Sequence, residues 1–115
     1  MVDLKYVGHS AFEIRKDDKA VLIDPLVSVN DKYNWHDAPI TDILLTHAHG
    51  DHIGEAIEIA KEKDIEITAV AELAGYCKEQ GAKSKSIGVG QYFYLHFILV
   101  LFLMADMVVV RQVFC

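Results

Sequence analysis

A chain of 115 residues has room for one small domain at most, and a net charge of −6 with no basic patch argues against nucleic acid as a partner. Two cysteines, Cys77 and Cys115, are too few for a disulfide framework. Cys77 falls in a helical pattern as a small core residue, and Met1–Lys5 shows no basic, apolar leader. The expected compartment is therefore the reducing cytoplasm.

Taken in order, Leu4 to Val7 predicts a short strand and Gly8-His9-Ser10 a turn. Ala11 to Arg15 sets Phe12 and Ile14 against Glu13 and Arg15, the period of a half-buried strand, and Lys16 to Lys19 closes a hairpin. Ala20 to Ile23 is continuously apolar, as in a strand covered on both faces. Asp24 follows directly and precedes Pro25, where a carboxylate commonly accepts backbone N–H groups of a turn. Leu26 to Ile40 is a loop, with Asn30, Asn34 and Pro39 breaking any period. Its Trp35 and His36 either line a pocket or pack on the domain edge.

The stretch that organises the chain is Ile43 to Gly54, I-L-L-T-H-A-H-G-D-H-I-G. Ile43, Leu44 and Leu45 form a short buried strand ended by Thr46, and a helical pattern follows over Ile53 to Lys63. Between them His47, His49, Asp51 and His52 place four metal-binding side chains in six positions. Imidazole and carboxylate are the ligands that zinc takes in hydrolytic sites. The two imidazoles of His47 and His49 can reach one ion, while Asp51 and His52 point differently and can serve a second. Such a pair lowers the pKa of a bridging water. Asp51 is also placed to orient that water or take up its proton.

Ile65 to Val70 then predicts a strand, and Ala71 to Gln80 a helix ended by Gly81. From Gln91 the composition changes: only Asp106 and Arg111 are charged, and residues 92–110 are almost wholly apolar apart from His96 and Asp106. The run is just long enough for a membrane helix, but Asp106 opposes that. Buried strands are a second reading, though no turn residues punctuate the run. A tail foreign to the domain is the third and the one expected, with 1–90 as the domain and 91–115 as the tail.

The T-H-A-H-G-D-H motif, with G-H-S-A-F at Gly8–Phe12 and L-I-D-P at Leu22–Pro25, resembles the metallo-β-lactamase superfamily. More closely, it is similar to an uncharacterised metal-dependent hydrolase group related to the ascorbate-phosphate lactonases, over residues 1 to about 90. The resemblance implies the N-terminal half of an α/β/β/α sandwich, an α/β arrangement with the metal site at the sheet edge. It implies two divalent ions per complete site, zinc first, with manganese, iron or nickel as alternatives. It also implies a small-molecule substrate attacked at an ester, lactone or phosphoester. Asp24 would support the H-x-H loop without binding metal, and His9, on a turn that borders the metal site in the resembled fold, either stands on the substrate side or is a plain turn histidine. In the family a third histidine, a bridging aspartate and a final histidine complete the site, and His96 matches none of them. A reading of a different class is a truncated, catalytically inactive fragment with an incomplete site, either unstable alone or held at a membrane through residues 92–110.

Overall fold

The computed structural model of the chain describes residues 2–88, 91–95 and 98–101. Three strands, β1 (Asp3–Gly8), β2 (Ala11–Lys16) and β3 (Lys19–Ile23), form an antiparallel meander. Beyond it β4 (Ile40–Leu44), β5 (Glu66–Ala69) and β6 (Lys83–Ser86) each add in parallel, so one six-stranded mixed sheet runs in sequence order. Parallel neighbours need crossovers. The β4–β5 crossover is α1 (Gly50–Ile53) and α2 (Ala56–Lys63), and the β5–β6 crossover is α3 (Ala71–Glu79). Helix α2 packs on β4 and β5, and α3 on β5 and β6. Leu22, Ile43, Leu45, Ile59, Ile67 and Leu73 fill the core between sheet and helices, all essentially solvent-free. Cys77 lies in this core, where burial pushes its thiol above the ordinary range.

Three departures from the sequence pattern are informative. The predicted helix over Ile53–Lys63 is split, because Gly54 takes φ +50 and closes α1 before α2 begins. A Cβ at Gly54 would lie 2.6 Å from the Pro25 carbonyl oxygen and 2.7 Å from the Leu26 backbone. The Glu55 N–H then donates to the Pro25 carbonyl at 3.1 Å, and the Glu55 carboxylate accepts from the Val27 N–H at 2.9 Å. The break therefore clamps the loop after β3 against the metal motif. Gly54→Ala is expected to lower stability by about 1–3 kcal/mol through backbone strain and overpacking, read as a drop in the urea midpoint.

The second departure is at β2. The alternation marks a strand correctly, but Glu13 is buried while Phe12 and Ile14 are partly exposed. The Tyr33 hydroxyl, brought in by the long loop, donates to the Glu13 carboxylate, and Arg15 grips it through two hydrogen bonds of 2.7 and 3.0 Å. The third is β6, whose sequence K-S-K-S carries no apolar period. Position makes it a strand: it pairs along β5, and the Ser84 hydroxyl donates to the Ala74 carbonyl of α3 at 2.6 Å.

In the apolar stretch, β7 (Tyr92–Leu95) and β8 (Ile98–Leu101) pair antiparallel as a separate two-stranded sheet. Of the stretch 92–110 read as a candidate membrane helix, the described segments Tyr92–Leu95 and Ile98–Leu101 are strands, in keeping with their β-favouring Tyr, Phe, Ile and Val, and the rest lies outside the described residues. No helix among the described residues is long and apolar enough to cross a membrane. His96, Asp106 and Cys115 lie outside the described residues.

Candidate metal centre

Strand direction brings the site together. Because β3 and β4 are parallel neighbours, their C-terminal ends lie side by side, with Asp24 after one and Thr46-His47 after the other. Two antiparallel steps make β1 run parallel to β3, so the β1–β2 turn carrying His9 reaches the same edge. The crevice outside the carboxyl ends of a sheet is where ligands of such folds sit.

Asp24 is the root of a hydrogen-bond network at this edge. It is buried, with φ +45, and its Oδ1 accepts the Thr46 N–H at 2.8 Å. Its Oδ2 accepts the Thr46 hydroxyl at 2.6 Å and the His52 Nδ1–H at 2.8 Å. With its proton committed to Asp24, the Thr46 oxygen is left to accept from His47 Nδ1, 2.9 Å away. One carboxylate thus sets the protons of two imidazoles on Nδ1, and the lone pairs of His47 Nε2 and His52 Nε2 are left free. A histidine held in this way keeps its tautomer and its direction for a metal.

His47 Nε2 faces His49 Nδ1 at 3.2 Å. Two nitrogens bound to one tetrahedral zinc at about 2.0–2.1 Å stand about 3.3 Å apart, so this pair matches the spacing of two ligands of one ion. Burial, the largest cause, holds the His47 imidazole below its ordinary pKa and favours the neutral form that a ligand needs. His49 is exposed, on the open side of the site. Asp51 opens the first turn of α1, and its Oδ1 stands 3.8 Å from His52 Nε2. Desolvation opposes the Asp51 charge, but the hydrogen bond from His9 and the His52 and His9 charges outweigh it and keep the carboxyl below its usual range.

All four motif side chains predicted from the sequence therefore gather at one edge, with Asp24 beneath them. His9 joins them, with its Nε2 2.8 Å from Asp51 Oδ2. Among the described residues, two groups have potential ligand atoms within 4.8 Å of one another: His9, Asp51 and His52, and Asp24, His47 and His52. In the second group Asp24 has both oxygens engaged by Thr46 and His52, which fits support better than ligation. Thr46 is the residue that sequence reasoning missed. Its place between a buried strand and the first histidine was legible, but its role needs the Asp24 loop beside it. Trp35 and His36 stand elsewhere: their rings stack at 3.8 Å, His36 pairs with Glu62 at 3.1 Å, and the groove they line includes none of the four motif ligands.

A metal-dependent hydrolase of the UPF0173 group from Desulforamulus reducens is 40% identical over 89 residues, covering 76% of this chain and 39% of that protein. Another from Thermococcus kodakarensis is 42% identical over 91 residues, covering 77% of this chain and 40% of that protein. The chain spans about two-fifths of the length of the curated relatives it matches. Among solved structures, Igni18, a metallo hydrolase from Ignicoccus hospitalis, superposes with a TM-score of 0.73 at 27% identity, covering 82% of this chain and 42% of that one. The description of the metallo-beta-lactamase superfamily fits residues 5–106, running past the change of composition near residue 90, and the chain belongs to that superfamily.

Proposed function

We propose that this chain contributes to a two-metal hydrolytic centre, with His47 and His49 holding one divalent ion and Asp51 and His52 a second. The 3.2 Å approach of His47 Nε2 to His49 Nδ1 supports the reading: the Thr46 hydroxyl oxygen holds the His47 proton on Nδ1, so its Nε2 lone pair is turned to His49 at the spacing of two ligands of one ion. Zinc is the first expectation for this set of nitrogen and oxygen donors, with manganese, iron or nickel as alternatives. When bound, such ions supply a water of lowered pKa and a clamp for the substrate's oxygens. The chain's residues do the rest. Asp24 and Thr46 orient the imidazoles, and Asp51, half-exposed at the open edge, can accept a hydrogen bond from the attacking water and take its proton. A small ester, lactone or phosphoester is the substrate class we infer, in keeping with relatives named as metal-dependent hydrolases.

The test is metal content per chain by elemental analysis after saturation with zinc and removal of the excess. About two ions per chain are expected for the wild type. The doubly substituted His47→Ala/His49→Ala protein is expected to hold at least one fewer. Absence of bound metal from a folded wild type would sink the proposal.

A further inference from the structure

We propose that His9 is a protein ligand of the second ion, completing with Asp51 and His52 a set of two imidazoles and one carboxylate. This rests on the two-metal reading above and assigns His9 a place within it. Its Nε2 lies 2.8 Å from Asp51 Oδ2, its ring centroid 5.5 Å from that of His52, and the candidate ligand atoms of all three residues fall within 4.8 Å. Ligands on adjacent positions of one zinc or similar ion stand about 3 Å apart, so the His9–Asp51 spacing already suits a shared cation. Two imidazoles, one carboxylate and open positions form a recurrent catalytic metal set. The open side is present too, with His9 43% and Asp51 50% exposed.

The backbone around His9 is shaped to present it. His9 adopts φ +53, the sign of φ that a two-residue hairpin loop takes and that Asp17 shares at +55 in the β2–β3 hairpin, so the turn itself fixes where its side chain leaves the backbone. The Tyr6 hydroxyl donates to the His9 carbonyl at 2.8 Å, and the Asn30 side-chain amide donates to the Val7 carbonyl at 2.9 Å. The β1–β2 register is irregular between Tyr6 and Gly8, and irregularities of this kind re-aim side chains beside functional sites. The motif alone gives the second ion two ligands, and His9 supplies the third that a catalytic ion usually has.

Cobalt(II) titration of the whole chain tests the assignment, following the visible d–d bands and bound metal by equilibrium dialysis. His9→Asn is the informative variant, because asparagine tolerates positive φ and keeps the turn. A weakening of one of the two cobalt sites by at least about tenfold is expected, as even an outer-shell partner of a ligand is worth 10–100-fold. The comparison variant His49→Ala should weaken the other site. In the wild type, the His9 imidazole nitrogen resonance should move on adding zinc. Two cobalt ions bound by His9→Asn as tightly as by the wild type, or an unmoved His9 resonance in the zinc-loaded wild type, would overturn the role of His9 and leave the four-ligand reading standing. A wild type that binds no cobalt would overturn both.

Discussion

Asp24→Ala is expected to lower the stability of the chain by about 2–4 kcal/mol and to weaken its metal affinity 10–100-fold. Both effects come from one carboxylate. Asp24 accepts three hydrogen bonds, from the Thr46 N–H, the Thr46 hydroxyl and His52 Nδ1, while being 3% exposed. Alanine strands these donors in a protein interior, and it is less suited than aspartate to the φ of +45 at this position. The metal effect follows from the tautomers. Without Asp24, His52 is free to carry its proton on Nε2, and Thr46 is no longer obliged to leave its oxygen for His47. Asp24→Asn separates the two effects. Asparagine keeps the positive φ and an oxygen for the Thr46 N–H, so part of the stability should return. Its amide N–H groups then face the Thr46 hydroxyl and His52 Nδ1, so metal affinity should stay low. Urea midpoints and cobalt titration read the two quantities, and Asp24→Asn binding cobalt as tightly as the wild type would refute the orienting role.

The residues that carry this network differ in how far the sequence exposed them. His47, His49, Asp51 and His52 were legible because chemistry and spacing sit in one contiguous turn. A buried strand before it and an apolar helical period after it fix its place at a sheet edge. Asp24 was legible as support only through the resemblance, since a turn aspartate before proline reads the same way on local grounds. The break at Gly54 was hidden because the apolar spacing of Ile53, Ala56 and Ile57 continues across it. What interrupts the helix is a contact with Pro25 and Leu26, distant in sequence. Likewise β6 is a strand by virtue of its neighbour β5, with no apolar period of its own to announce it. The inward turn of Glu13 depends on Tyr33, twenty residues away. Local period is readable one segment at a time, whereas these features are properties of pairs of segments.

That same pair of segments sets the last expectation, a loss of about 2–3 kcal/mol at neutral pH in Arg15→Ala. Glu13 is 2% exposed and keeps its charge through Arg15 and the Tyr33 hydroxyl. Removing one partner of a fully buried pair costs about 3–5 kcal/mol; the Arg15 side chain here is 36% exposed, so its solvation trims the figure. The sign with pH follows from Glu13. Burial works to raise its pKa, but the hydrogen bonds from Arg15 and Tyr33 outweigh burial and lower it below its ordinary 4.5. A carboxylate with a depressed folded pKa contributes stability that is fully present above the unfolded value and lost as pH falls through the folded one. Burial, together with the hydrogen bond to Glu13, pushes the Tyr33 phenol upward, so it stays a donor throughout this range. The gap in urea midpoint between wild type and Arg15→Ala should therefore be widest above pH 4.5 and narrow steadily as the solution is acidified below it. A gap that held constant from pH 7 to about pH 3 would mean that Arg15 acts through the packing of its stem and not through the Glu13 charge.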